Sequence, residues 1–191
     1  MKNWSRCEAP PLPIGTAEEY RDPLKHQPGI RCHRADGAAM SLPNVIIRDA
    51  AEVDYAAYVD FQKRAFRDLL ARRGATDARM TPEFYRWKYH PPEGTARVAQ
   101  VVEGGKMLSS SAMLPLRLSF ENRTIVGWHC LDVGTVPEAR GRGLCLATLR
   151  SLIDNIGSEE LFFAFPNEAS IGSFLKLGCT ENGILTTWIA P

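Results

Sequence analysis

The chain has 191 residues, 45% of them hydrophobic and 24% charged, which is enough for one domain with a substantial core. Its formal net charge of +1 gives no electrostatic footprint for DNA, RNA or an anionic membrane, and no segment approaches the roughly 20 apolar residues that span a bilayer. The polar start Met1-Lys2-Asn3-Trp4-Ser5-Arg6 lacks the apolar centre of a signal peptide, and Cys7, Cys32, Cys130, Cys145 and Cys179 fall at no metal-binding spacing, so a cytoplasmic protein with reduced thiols is expected.

In chain order, residues 1–43 hold six of the thirteen prolines and no sustained hydrophobic period. They read as an extended or poorly ordered arm, with the folded domain spanning 44–191. Asn44-Val45-Ile46-Ile47-Arg48 opens that domain as a strand. Asp54 can cap a helix whose Tyr55, Tyr58, Val59, Phe66 and Leu69 share one face. Thr81-Pro82-Glu83 starts a second helix with proline in its first turn, and Pro91-Pro92 stops it. Strands follow over Arg97–Val102, Lys106–Leu118 and Thr124–Val136, with turns at Gly104-Gly105 and Glu121-Asn122.

The third of these strands runs into the most informative segment, Leu131-Asp132-Val133-Gly134-Thr135-Val136-Pro137-Glu138-Ala139-Arg140-Gly141-Arg142-Gly143-Leu144-Cys145. Beyond it, Leu146, Leu149, Ile153 and Ile156 recur at helical spacing, so a strand passes through a glycine-rich turn into a helix beginning near Gly143. A helix start leaves about four N–H groups without intrahelical partners and carries roughly half a positive charge, which suits phosphate. Gly141 and Gly143 would let the backbone approach an anion closely, with Arg140 and Arg142 adding charge at the rim. An ordinary strand-to-helix connection is the competing reading. The turn is neither a Walker A loop nor a dinucleotide fingerprint.

A buried strand over Leu161–Phe165, a break at Pro166-Asn167 and a helix from Glu168 to Lys176 ending at Gly178 come next, then a last strand over Ile184–Ile189. Taken together, the segment Arg140-Gly141-Arg142-Gly143-Leu144-Cys145 resembles the acetyl-CoA loop of the GNAT superfamily of N-acetyltransferases, departing from it at the last position. Asn167 through Phe174-Leu175-Lys176-Leu177-Gly178-Cys179 is similar to the superfamily's following motif. Trp87-Lys88-Tyr89-His90-Pro91-Pro92-Glu93-Gly94 and Phe165-Pro166-Asn167 resemble segments of a bacterial GNAT subgroup, so that the likeness covers about residues 44 to 190.

The resemblance implies an α/β (α+β) fold with a mixed, mostly antiparallel central sheet, splayed fourth and fifth strands, and flanking helices. The superfamily's seventh strand has no counterpart: the sheet closes with fewer strands, the arm or another chain supplies the edge, or the chain is a piece of a longer one. An unpaired edge makes a homodimer plausible.

The resemblance also implies direct acetyl transfer from acetyl-CoA to a primary amine of a small molecule, without an acyl-enzyme and with no metal. Arg140, Gly141, Arg142, Gly143, Leu144 and Cys145 would hold the pyrophosphate. Gly134, Thr135 and Val136 would align the pantetheine arm and polarise the thioester through backbone groups. Asn167 and Ser170 would bond the arm, or simply cap the following helix. In a regular strand Asp132 shares a face with Gly134 and Val136, which would make it a general base, or else a buried structural acid. His129, on the opposite face in that reading, could act through water or simply pack, and Trp87 and Tyr89 could line the acceptor pocket or the core. Cys145, near a helix start, could carry a lowered pKa, or simply pack in the turn. Phe174 stands where many GNAT enzymes carry a tyrosine acid, and phenylalanine cannot donate a proton. The alternative to an enzyme is therefore a non-catalytic acyl-CoA-binding or interaction module of the same fold.

Overall fold

The computed structural model describes residues 43–182 apart from 73, 75 and 121. The proline-rich arm and the strand expected over Ile184–Ile189 lie outside these residues. Within them the elements are β1 (Val45–Asp49), α1 (Tyr55–Arg72), α2 (Pro82–Lys88), β2 (Arg97–Glu103), β3 (Lys106–Phe120), β4 (Arg123–Thr135), α3 (Leu144–Ile153), β5 (Leu161–Ala164) and α4 (Ile171–Lys176). Single 3-10 turns at Ala50–Glu52 and Pro137–Ala139 follow β1 and β4.

Local chemistry sets the helix starts. Asp54 Oδ1 accepts from the N–H groups of Ala56 and Ala57 at 3.0 and 3.1 Å, opening α1. Thr81 Oγ1 accepts from Phe84 N at 3.1 Å, and Pro82 occupies the first helical position, where its missing N–H costs nothing.

The five strands form one mixed sheet in the order β1-β2-β3-β4-β5. The first three pairings are antiparallel and the last is parallel. β5 pairs with β4 only from Gly127↔Leu161 to Cys130↔Ala164, whereas β4 continues to Thr135, so the two strands part beyond Cys130. This is the α/β architecture with a mostly antiparallel open sheet that the motifs imply.

Side-chain alternation sorts the core into two faces. Val98 and Ala112 pack with Tyr58, Phe61, Tyr85 and Tyr89 of the α1/α2 layer. Their chain neighbours Ala99 and Met113 pack with Trp128 of β4 and Leu152 of α3 on the other side. Two sequence expectations shift. The buried stripe of α3 is Leu144, Thr148, Leu149 and Leu152, about one position from the expected one. Thr148 belongs to it because its hydroxyl pairs with Ser111 Oγ at 2.8 Å, a contact that hydrophobic periodicity cannot register. In α1, Phe61, Gln62 and Ala65 are buried instead of Phe66 and Leu69, which leaves the latter two to face a groove.

Candidate active site

The turn after β4 combines left-handed glycines with an uncapped helix start. Gly141 and Gly143 have φ of +79° and +74°, in the left-handed region where a Cβ costs about 1 kcal/mol or more. Gly143 is the N-cap of α3 and supplies no side-chain cap, so the first amides of this ten-residue helix have neither an intrahelical acceptor nor a capping side chain.

These amides open onto a groove of about 970 Å³ walled by α1, the end of β4, the turn and α4. Of the cofactor residues inferred from sequence, Gly134, Thr135, Arg140, Gly141, Gly143, Leu144 and Cys145 line it, together with Asn167 and Ser170 across the gap. Phe66 and Leu69 supply an apolar wall, and Arg72 and Lys176 add positive charge. Where β4 meets α1, a Cβ on Gly134 would stand 3.2 Å from the Phe66 ring and 3.3 Å from Ala65 Cβ, so the absence of a side chain keeps strand and helix close.

Two expected members stand elsewhere. Val136 is fully buried and its N–H donates to Leu108 O at 3.0 Å, so that donor is already spent on the sheet. Arg142 pairs with Glu103 at 2.6 Å and does not line the groove. Arg140 lines it but is tied to α1, donating to Ala65 O at 3.3 Å and Asp68 Oδ2 at 3.4 Å, and to Thr135 O at 3.3 Å. Its guanidinium braces the turn against the helix.

Asp132 departs most from the regular-strand reading. The pairing passes from Ser110↔Gly134 to Ala112↔Leu131, leaving one residue on β3 (Ser111) against two on β4 (Asp132 and Val133), which inserts one extra residue in β4. Asp132 occupies this bulge with φ of +51°. The bulge breaks the two-residue alternation, so Asp132 turns to the α1/α2 layer, the side that Leu131 also faces. It therefore lies on the same side as His129, not opposite it. His129 stacks on Phe163, with centroids 5.2 Å apart and planes at 8°. Burial, and then the Lys88 ammonium, lower its pKa below the ordinary 6.5, with Asp132 opposing them.

The Asp132 carboxylate accepts from Lys88 Nζ at 2.9 and 2.7 Å and from the Tyr89 hydroxyl at 2.8 Å. A buried chain continues behind it. Tyr58 and Tyr89 hydroxyls lie 2.6 Å apart, and Gln62 Nε2 donates to Tyr58 at 2.6 Å. Since Tyr89 spends its proton on Asp132, the donors run from Gln62 through Tyr58 and Tyr89 to the carboxylate, each polarising the next. Desolvation, as the first cause, holds both tyrosine pKa values well above 10, so both remain donors.

Tyr89 is thus a fully buried support for Asp132 and not a pocket wall. Trp87, 75% exposed, lines a separate cleft of about 690 Å³ with Glu83, Arg86 and His90. Phe174 is buried with Cys130 and Leu149. Burial raises the Cys145 thiol, partly offset by a contact with Ser173 Oγ at 3.8 Å, which agrees with the packed reading of this residue and not with a thiol lowered by the helix start. Asn167 Oδ1 accepts from the N–H groups of Ala169 and Ser170 at 3.1 Å each, and the helix proper starts at Ile171 instead of Glu168. Sequence reasoning missed Lys88, Tyr58 and Gln62. Their one visible signal was a glutamine four residues after a tyrosine on an otherwise apolar helix face.

A sheet whose fourth and fifth strands part beside a glycine-rich helix start defines the acetyltransferase class of the GNAT type. The chain belongs to that family: the model of the acetyltransferase (GNAT) domain matches residues 46–179. No curated protein sequence matches the chain. The fold is shared with glucosamine-6-phosphate N-acetyltransferase from Arabidopsis thaliana, at 15% identity and a TM-score of 0.52 over 76% of this chain and 98% of that one. A predicted acetyltransferase from Clostridium acetobutylicum, solved with acetyl-CoA, matches at 16% identity and a TM-score of 0.57, over 76% and 95%. An aminoglycoside acetyltransferase from an uncultured soil metagenomic sample matches at 17% identity and a TM-score of 0.57, over 78% and 98%.

Proposed function

We propose that this acetyltransferase moves the acetyl group of acetyl-CoA directly to a primary amine of a small molecule. The observation that carries this reading is the continuity of the site: Val133 and Gly134 wall the groove, and the Asp132 carboxylate stands in the bulge immediately before them. Free amides at the start of α3 would take pyrophosphate oxygens, aided by Arg72 and Lys176. Backbone groups at Val133, Gly134 and Thr135 would meet the pantetheine and the thioester carbonyl, while Asn167 and Ser170 close the opposite side. Asp132 would accept the proton of the incoming ammonium once Lys88 yields its place. Juxtaposing two bound reactants can supply about 7–11 kcal/mol in ideal cases, so a weak base suffices, and a thiol is acidic enough for the thiolate to leave without Phe174 assisting. The Arabidopsis and soil enzymes are named for glucosamine-6-phosphate and for aminoglycosides, and a polar amine of that kind is the first acceptor to try.

Release of free CoA thiol, followed with a panel of small amines, tests the reading. Asp132→Asn should lower turnover by about 10²–10⁴-fold with unchanged acetyl-CoA affinity. Normal turnover in that variant would remove Asp132 as the base. Binding without transfer to any amine would favour a non-catalytic acyl-CoA-binding module, the reading supported by a buried phenylalanine at the family's acid position.

A further inference from the structure

Lys88 presents a primary amine to the carboxylate that would deprotonate an acceptor. Its Nζ lies 2.7 Å from Asp132 Oδ2, in the place an incoming ammonium would take, and Asp132 is one residue from the wall of the groove. Any acceptor that uses Asp132 must first displace this internal amine. We propose that Lys88 is itself an acetyl acceptor, modified within its own chain, a step that rests on the acetyl-CoA chemistry proposed above. One ammonium proton passes to Asp132 and on to solvent, and the nitrogen lone pair attacks the thioester carbonyl carbon. As the C–N bond forms and the C–S bond breaks, the amine's second proton is lost and the departing CoA thiolate takes one up. The products are Nε-acetyl-Lys88 and CoA. The neutral amide forms no ion pair with Asp132, which keeps the Tyr89 donor and regains an unneutralised charge to draw an external ammonium. Self-acetylation would thus convert a plugged site into a free one.

The full-length protein incubated with acetyl-CoA and no acceptor provides the test, with peptide mass spectrometry following each lysine over time. The Lys88 side chain is 26% exposed against 42% for Lys63, so spontaneous acetylation by the thioester would favour Lys63. Site-directed transfer would instead label Lys88 first, at a rate independent of protein concentration, and Asp132→Asn would slow it on the order of 10²-fold. If that variant fails to melt cooperatively, the wild-type preference for Lys88 over the more exposed Lys63, at a rate independent of protein concentration, carries the test. Lys88 labelled no faster than Lys63, or at a rate rising with protein concentration, would overturn the inference. So would an unlabelled Lys88 in a protein whose melting temperature acetyl-CoA raises, and there the acetyltransferase reading would survive. An unlabelled Lys88 with no such rise would overturn both.

Discussion

His129 shows how one residue reports on the charges around it. Its ring is stacked on Phe163 and meets the edge of Phe165 at 5.3 Å, so the protonated form is penalised chiefly by burial and secondarily by Lys88. With the folded pKa below the unfolded value of 6.5, the imidazole is neutral in both states above that value and costs nothing there. As pH falls through 6.5 the unfolded chain takes up the proton first, and stability is lost until the folded pKa is reached. His129→Gln lacks this penalty. The melting temperature of wild type should therefore fall relative to that of His129→Gln from about pH 7.5 to about pH 5.5, and a difference that stays constant would mean the ring is not held neutral.

Among the elements, β4 explains most of what the sequence did and did not disclose. Its glycine-rich continuation into α3 was readable because every cue is local: a strand, two glycines needing left-handed backbone, and a helical repeat. The bulge was not, because it exists only in the pairing of Asp132 against β3, and a carboxylate in a run of alternating residues carries no mark of φ +51°. For the same reason the ion pairs that claim Arg142 and Lys88 were hidden, since their partners lie on β2 and β4, 39 and 44 residues away. The apposition of β4 and α1 at Gly134 is likewise non-local, and it makes a firm prediction. A valine there would drive branched carbons into Ala65 and Phe66, already 3.2–3.3 Å from a bare Cβ. Gly134→Val should destabilise by about 1–3 kcal/mol in urea denaturation, with reduced affinity for acetyl-CoA because the groove wall moves. An unchanged denaturation midpoint would show that α1 can retreat from β4 at little cost.

At the scale of the whole molecule, the groove joins elements far apart in sequence. α1, the end of β4, the α3 start and α4 each contribute one wall, so a ligand seated there cross-links the fold. A compound that binds only the folded state stabilises it by RT ln(1 + [L]/Kd), about 2.7 kcal/mol at a hundredfold excess over the dissociation constant. For a domain of this size that corresponds to a rise in melting temperature of about 5–10 °C. Acetyl-CoA should produce such a rise, and Gly143→Val should diminish it by placing a branched side chain in left-handed backbone where the amides face the ligand. Because neither Lys88 nor Asp132 lines the groove, Lys88→Arg and Asp132→Asn should melt with the same ligand-induced shift as wild type. A shift abolished by Asp132→Asn but untouched by Gly143→Val would place the ligand against the bulge and its lysine, away from the helix start.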